Sequence, residues 1–337
     1  MSGEGGYHTY RVPSLAITGK GTLLAFAEGR RRSVYDTGLI EIVQRRSTDG
    51  GRTWSQVTVV VAEEAMTCGN ATPVVDPRTG TLWLPFCKNR EDGPEPLVFQ
   101  GKAHRTAWMT RSDDDGVTWA TPWEITAQVK RPGWTWFAFG PGHGVALASG
   151  RLVVPSVHAL AVDYRHSDPC RAHVTVSDDG GATWRAGGVV DVPTSSENEL
   201  AELAPDVLYL NARYEAPDAG RVSAWSTDGG LTFDDVLVDA SLTDAMCMGS
   251  LAQPSKAEPK RLVLVNASGA STKRERLVAR VSHDGGRSFG DPVVLDPGHA
   301  AYSDTVVLPD GTFLCLYERG EKHAYERLCL LRFSVET

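Results

Sequence analysis

The sequence predicts an all-β chain folded as a six-bladed β-propeller, and three observations carry that expectation. One eight-residue pattern, Ser-x-Asp-x-Gly-x-Thr/Ser-Trp/Phe, occurs five times in the 337 residues. Short β-branched and apolar runs flank these copies, and no amphipathic helical stretch of any length accompanies them. Successive copies begin 65, 65, 49 and 56 residues apart, a spacing that suits four-stranded blades arranged radially. At roughly 55 residues per blade, near the upper end of propeller periods, the chain divides into about six units.

Taken in order, IEIVQRRS leads into STDGGRTW at Ser47, and TLWLPFC lies ahead of SDDDGVTW at Ser112. GRLVVPSVHA and AHVTVS precede SDDGGATW at Ser177, and STDGGLTF follows at Ser226. LVLVNAS and LVARVS lead to SHDGGRSF at Ser282, with FLCLYER and LCLLRFSVE as the last strands. The turn chemistry is local. Asp at the third position hydrogen-bonds backbone N–H groups just ahead, Gly at the fifth tolerates positive φ, and the aromatic re-enters the core. A structural role is therefore expected for all five Asp residues. Only six residues precede Tyr7, so the last blade is expected to close minimally at that edge or with the LCLLRFSVE strand. No linker or composition shift divides the chain, which predicts one domain over residues 1–337.

Composition narrows the partners. With 34 Lys+Arg against 42 Asp+Glu, the formal charge is −8, which argues against broad binding to nucleic acid or an anionic membrane. The 26 Arg far outnumber the 8 Lys; compositional bias accounts for most of the skew, and a few Arg forks gripping a carboxylate for the rest. MSGEGGYHTYRVP has neither a basic n-region nor an apolar h-region, so no signal peptide is expected. No apolar run of about 18 residues occurs, so no membrane-spanning helix is expected. The six cysteines and nine histidines show no metal spacing. Free thiols, no metal or other cofactor and a cytoplasmic setting are the expectations.

The turn repeats are of the kind called Asp boxes, found in sialidases and other propellers, and alone they indicate architecture rather than function. Tyr10-Arg11-Val12-Pro13, followed by LLAFAEGRR and Asp36, is more specific. It resembles the (F/Y)RIP opening of bacterial and animal exo-α-sialidases. SENELAEL, LNAR and AYSDTVVLPDGT resemble the family's remaining catalytic segments, so the likeness runs from about Tyr7 to the YERG…YER segment. The resemblance implies a six-bladed propeller that releases terminal α-linked sialic acid with retention, through a tyrosyl intermediate. It implies an arginine triad of Arg11, Arg213 and Arg274, with Arg276 and Arg280 as competitors for the third place. It further implies Tyr302 as nucleophile, Glu197 as its carboxylate partner, Asp36 as acid/base and Arg30 as a supporting arginine. Asn70, in CGNATPVVD, falls where the family contacts the acyl-amino side of the sugar; Ala71 departs from the usual Pro there.

Physical chemistry favours such a set. A sialoside carries a carboxylate on its anomeric carbon, and converging guanidinium groups would fix it through charge-assisted, partly bidentate bonds. That anion disfavours a carboxylate nucleophile, whereas a neutral Tyr with a base nearby avoids the repulsion. Sialidases are a recognised exception among glycosidases in using Tyr, so this role follows the resemblance. Softer candidates are Trp134 and Trp136 as an apolar wall, Met66 and Cys68 as acyl-pocket lining, and His143 as support for the Gly-Pro-Gly turn. Two alternatives stand beside a sialidase acting on a sialylated glycan. The same scaffold could hydrolyse a related 2-keto-3-deoxy sugar acid of KDN or Kdo type, or bind sugars without turnover. Paired aryl glycosides differing at C5 separate the first, and turnover across pH 4–8 separates the second.

Overall fold

The computed structural model describes residues 1–160, 170–216 and 218–335, and over these the chain is built from four mostly antiparallel sheets. The first contains β1 (Thr9–Ile17), β2 (Leu23–Arg30), β3 (Ile40–Ser47), β4 (Thr58–Val61) and β5 (Met66–Gly69). It continues with β6 (Val74–Val75), β7 (Leu82–Arg90), β8 (Arg105–Ser112) and β9 (Trp123–Glu124). The second holds β10 (Trp134–Phe139), β11 (Val145–Ala146), β12 (Leu152–Leu160), β13 (Cys170–Ser177) and β14 (Arg185–Val189). The third is β15 (Ser195–Ala204), β16 (Val207–Tyr214), β17 (Arg221–Ser226) and β18 (Asp235–Asp239). The fourth is β19 (Ser250–Ala252), β20 (Leu262–Ala267), β21 (Glu275–Ser282), β22 (Val293–Val307), β23 (Phe313–Gly320) and β24 (Arg327–Phe333). Two helices escaped the sequence reading: α1 (Glu95–Phe99), between β7 and β8, and α2 (Thr126–Val129), after β9. With five and four residues, they are too short to register as helical periodicity. Pro94 and Pro96 pre-set the first turn of α1.

Apolar clusters join each sheet to the next. Phe137, Phe139 and Val154 of the second sheet pack on Cys87, Ala107 and Met109 of the first. Val153 and Val174 pack on Leu208 and Leu210 of the third, whose Tyr209 and Trp225 meet Leu262 and Leu264 of the fourth. Leu15 and Leu23 in turn pack on Val306, Leu314 and Leu316, so the last sheet lies against the first. At that edge Ser2 N–H donates to Glu326 O over 3.0 Å, and β24 pairs with β23 from Phe313↔Phe333 to Arg319↔Arg327. The C-terminal strand thus supplies the edge.

The five sequence repeats share one hydrogen-bond pattern. The Ser47, Ser112, Ser177, Ser226 and Ser282 hydroxyls donate to the Asp two residues on, over 2.7–2.9 Å. Each accepts from the backbone N–H four residues on, over 2.8–2.9 Å. The Asp carboxylates in turn accept the backbone N–H and hydroxyl of Thr53, Thr118, Thr183, Thr232 and Ser288. Two consecutive positive-φ residues make the turn, Gly-Gly in four copies and Asp115-Gly116 in the other; Asp is among the few side chains that accept that region. Trp184, Phe233 and Phe289 enter the clusters between sheets.

Two histidine groups make the stability of the fold depend on pH. His158 and His173, on β12 and β13, face each other with Nδ1 atoms 3.2 Å apart beneath Trp134. Burial, then nearby Arg131 and Arg171, push His158 from 6.5 down to about 3. Its stabilisation is complete above pH 6.5 and is lost as pH falls through 3. His143, before β11, behaves oppositely. Burial opposes its charge, but Asp304 and Glu199 outweigh burial and carry it from 6.5 up to about 10. That contribution is complete below pH 6.5 and is lost as pH rises through 10. The melting temperature is therefore expected to peak near pH 6.5 and to decline on both sides. A scan from pH 4 to 10 checks this, and a curve still rising at pH 9 would contradict it.

Candidate active site

Four strands break register where they approach one another. Between Arg11↔Glu28 and Ser14↔Phe26, β1 carries one residue more than β2. Extra residues occur likewise on β10 between Trp134 and Phe137, on β15 between Ser195 and Asn198, and on β22 between Ala300 and Ser303. Bulges bend a strand and re-aim its side chains. These four lie at Val12, Trp136, Glu197 and Tyr302, and Val12 has φ 54°. All four residues line one pocket of about 280 Å³. The same pocket holds Arg11, Arg30, Asp36, Asn70, Arg213 and Arg274, so all eight residues singled out from the sequence meet there.

At its centre the Tyr302 hydroxyl donates to Glu197 Oε1 over 2.5 Å. Arg213 Nη1 donates to Glu197 Oε2 at 2.8 Å and to Tyr302 Oη at 3.1 Å. Burial, then the negative Glu197, push the Tyr302 phenol well above its usual range, against Arg213 and Arg274. The phenol is therefore neutral, and its proton already rests on a hydrogen bond to a carboxylate. Arg11 and Arg274 flank it, their guanidinium carbons 5.4 and 5.2 Å from the Tyr302 ring centre. Arg274 Nη1 donates to Tyr325 Oη over 2.9 Å. Its two competitors turn away: Arg276 bonds Ser268 Oγ, and Arg280 bonds Asn266 and Thr243.

Asp36 sits at the mouth, its side chain 60% exposed, with Oδ1 2.7 Å from Arg30 Nη2 and 3.6 Å from Arg11 Nη1. Loss of water on its pocket side would raise its carboxyl, but Arg30 and Arg11 outweigh that effect and hold it below the usual carboxylate range. Arg30 is itself fixed, its Nε and Nη2 donating to Glu28 Oε2 over 3.0 and 2.6 Å. Asn70 faces the other end, where its Oδ1 accepts from Arg105 Nη2 at 2.6 Å and its N–H donates to Glu28 Oε1 at 3.0 Å. Trp136 lines that end, its Nε1–H donating to Glu95 Oε1 over 3.1 Å and its ring stacking on Phe99 at 5.3 Å.

Sequence reasoning missed several members. Glu318 is fully buried and accepts from Arg11 Nε at 2.8 Å, Val12 N at 3.0 Å and Tyr302 N at 3.2 Å. Glu318 stands behind the pocket, whereas Glu28, Glu95, Arg105 and Glu215 line it. Only Glu28 left a usable signal, two residues before Arg30 on a single strand and hence on the same face. The softer candidates divide. Trp136 lines the pocket, whereas Trp134 stacks on His158 at 3.6 Å. Met66 and Cys68, both on β5, are absent from the lining, and Cys68 is buried in the core. His143 lies away from it, against Asp304 and Glu199. No disulfide links the six cysteines, and among the described residues no helix is long and apolar enough to cross a membrane.

The chain is similar to proteins of known family. A family described as BNR repeat-like domain matches residues 21–315. A sialidase of Micromonospora viridifaciens is 34% identical over 342 residues, covering 95% of this chain, which spans about half (51%) of that protein. An exo-alpha-sialidase of Arthroderma benhamiae is 31% identical over 296 residues, or 83% of this chain and 68% of that protein. Among solved structures, the Hadza microbial sialidase Hz136 superposes with a TM-score of 0.86 at 26% identity, over 99% of this chain and 67% of that one. Sialidases of this type are β-propellers, in keeping with the all-β architecture. By the extent of these matches, the chain belongs to the exo-α-sialidase family of glycoside hydrolases.

Proposed function

We propose that this chain hydrolyses the terminal α-linkage of a sialylated glycan with retention of configuration. The observation that carries the reading is the convergence of Arg11, Arg213 and Arg274 around a neutral Tyr302 bonded to Glu197. The three guanidinium groups would bind the substrate carboxylate and turn C2 toward Tyr302. In the first step the Tyr302 Oη–C2 bond forms while the phenol proton passes to Glu197. The glycosidic C2–O bond breaks as Asp36 gives its proton to the leaving oxygen. In the second, Asp36 takes a proton from water, the water oxygen bonds C2, and the tyrosyl oxygen leaves with the proton held by Glu197. Positioned proton transfer contributes typically about 10²–10⁴-fold, and electrostatic pre-organisation supplies much of the remainder.

Asp36 must be protonated for the first step, yet Arg30 and Arg11 hold it as a carboxylate in the free pocket. The incoming substrate carboxylate offsets that positive field, which raises the Asp36 carboxyl once the substrate is bound. Arg30, anchored by Glu28, keeps the Asp36 loop aimed throughout. Asn70 and Arg105 would meet the C5 substituent, with Trp136 and Phe99 beside it.

The four sheets are best read as six blades in one domain over residues 1–337, with five Asp-box turns. Supporting this, β3 and β5 share a single parallel pair, Ile40↔Thr67, a natural division of the first sheet. The fourth sheet divides within β22, whose first half, to His299, pairs with β21 and whose second half, from His299, pairs with β23.

Hydrolysis of aryl α-glycosides that differ only at C5, acetamido against hydroxyl, tests the substrate class, with NMR reading the anomer released. Preference for the acetamido sugar and α-product first are expected. Preference for the hydroxyl sugar would move the assignment to a KDN-type substrate, and binding without turnover would make the chain a lectin.

A further inference from the structure

The bulges that aim Glu197 and Tyr302 also free them from the regular ladder, because bulged residues lose their cross-strand pairing. Something other than sheet hydrogen bonds must then fix how far apart the two side chains stand. Two residues beyond Glu197 on β15 is Glu199, and two beyond Tyr302 on β22 is Asp304. Period-two geometry turns each toward the same side as its neighbour in the pocket. Both are buried, at 1% and 0% exposure, and both converge on His143. The His143 ring places Nδ1 2.8 Å from Asp304 Oδ1 and 3.6 Å from Glu199 Oε1, and its backbone N–H donates to Glu199 Oε1 over 3.3 Å.

The remaining carboxylate oxygens are occupied from within the protein. Leu251 N–H donates to Glu199 Oε2 and Leu15 N–H to Asp304 Oδ2, each over 2.6 Å. Thr305 N–H adds a third bond to Asp304 Oδ1, at 2.8 Å. With each oxygen already accepting, the group is a poor cation cage. It is instead a clasp joining β1, β15, β19 and β22. The loop leaves it no slack, since a Cβ on Gly142 would stand 1.9 Å from Glu199 Oε1.

We propose that His143 is a positioning residue for glycosyl transfer: by clasping Glu199 to Asp304 it pins β15 to β22 and holds Glu197 Oε1 within hydrogen-bond reach of Tyr302 Oη. The inference rests on the sialidase reading above. It separates two tasks within the site, since Arg213 and Arg274 reach the substrate carboxylate without touching the clasp. A misplacement of about 1 Å can cost on the order of 10²-fold in rate, so the clasp should govern turnover and leave binding alone.

The test compares His143→Ala, His143→Asn and wild type on an aryl α-sialoside, with free sialic acid as a competitive probe of the arginine cluster. His143→Ala should lower kcat by about 10- to 100-fold while KM and the inhibition constant stay within about twofold. His143→Asn, whose amide can donate where Nδ1 stood, should recover most of the loss. An alanine variant that folds and keeps its kcat overturns the proposal. So does a parallel loss of kcat and inhibitor binding, which marks collapse of the whole site. Should His143→Ala fail to fold, Asp304→Asn paired with His143→Asn carries the same comparison: low kcat in the first and near-normal kcat in the second are required. A wild-type protein that turns over no sialoside overturns the sialidase reading and the inference with it. An unchanged variant beside an active wild type overturns the inference alone.

Discussion

Replacing Tyr302 by Phe is expected to lower kcat by at least about 10³-fold, in line with the loss of other catalytic nucleophiles. The substitution removes one oxygen and leaves the ring in its slot between Arg11 and Arg274. Folding and binding of the sugar carboxylate should therefore change little, and KM should stay within a few-fold. What disappears is the atom that would attack C2, along with the 2.5 Å hydrogen bond to Glu197. A fluorinated sialosyl inhibitor should label wild type at residue 302 and leave the Phe variant unlabelled, as read by intact-protein mass spectrometry. A covalent adduct on another residue of the variant would remove Tyr302 from the role of nucleophile.

Glu318→Ala is expected to destabilise the fold by about 3–5 kcal/mol, the range found when one partner of a buried ion pair is removed. Glu318 is fully buried, and Arg11 keeps only 6% of its side chain exposed. Without Glu318, the carboxylate left to the guanidinium among the described residues is Asp36 at 3.6 Å, across a mostly exposed contact where solvent screening weakens the attraction, beside the Tyr325 and Tyr302 rings. Val12 and Tyr302 lose the acceptor for their backbone N–H groups as well. Both residues sit at bulges, so the loss falls where the sheet itself offers no substitute. Urea unfolding should show a lower midpoint at an unchanged slope. Glu318→Gln, which keeps an acceptor, should cost less. A midpoint for the alanine variant matching wild type would mean that Arg11 is held by something else.

The stability curve across pH tests a different part of the molecule. His158 and His173 sit neutral in the core between β10, β12 and β13, whereas His143 is charged in the clasp. Nothing in the sequence around these residues distinguishes a neutral buried His from a charged one. The difference comes from what faces each ring: another imidazole and Trp134 in one case, two carboxylates in the other.

Much of the architecture was open to reading because its signals are short-range. The Ser, Asp, Gly and Thr of each turn bond to partners within four residues, so the chemistry repeats wherever the eight letters repeat. The eight candidate site residues were found through motif resemblance, and their meeting in one pocket agrees with it. The helix bearing Glu95 was invisible because five residues hold too little periodicity, and no local pattern separates Arg105 from the other arginines.

What the sequence determined by itself was the all-β class, the turns and eight side chains that line one pocket. What only the tertiary structure decided was how those side chains are held. Glu318 reaches Arg11 across 307 positions and Glu197 meets Tyr302 across 105. Each such pairing exists only because strands from different sheets converge, and burial there makes an unpaired charge too costly to leave. A carboxylate in FLCLYER reads as a surface strand residue until the fold removes its water and leaves an arginine as its partner.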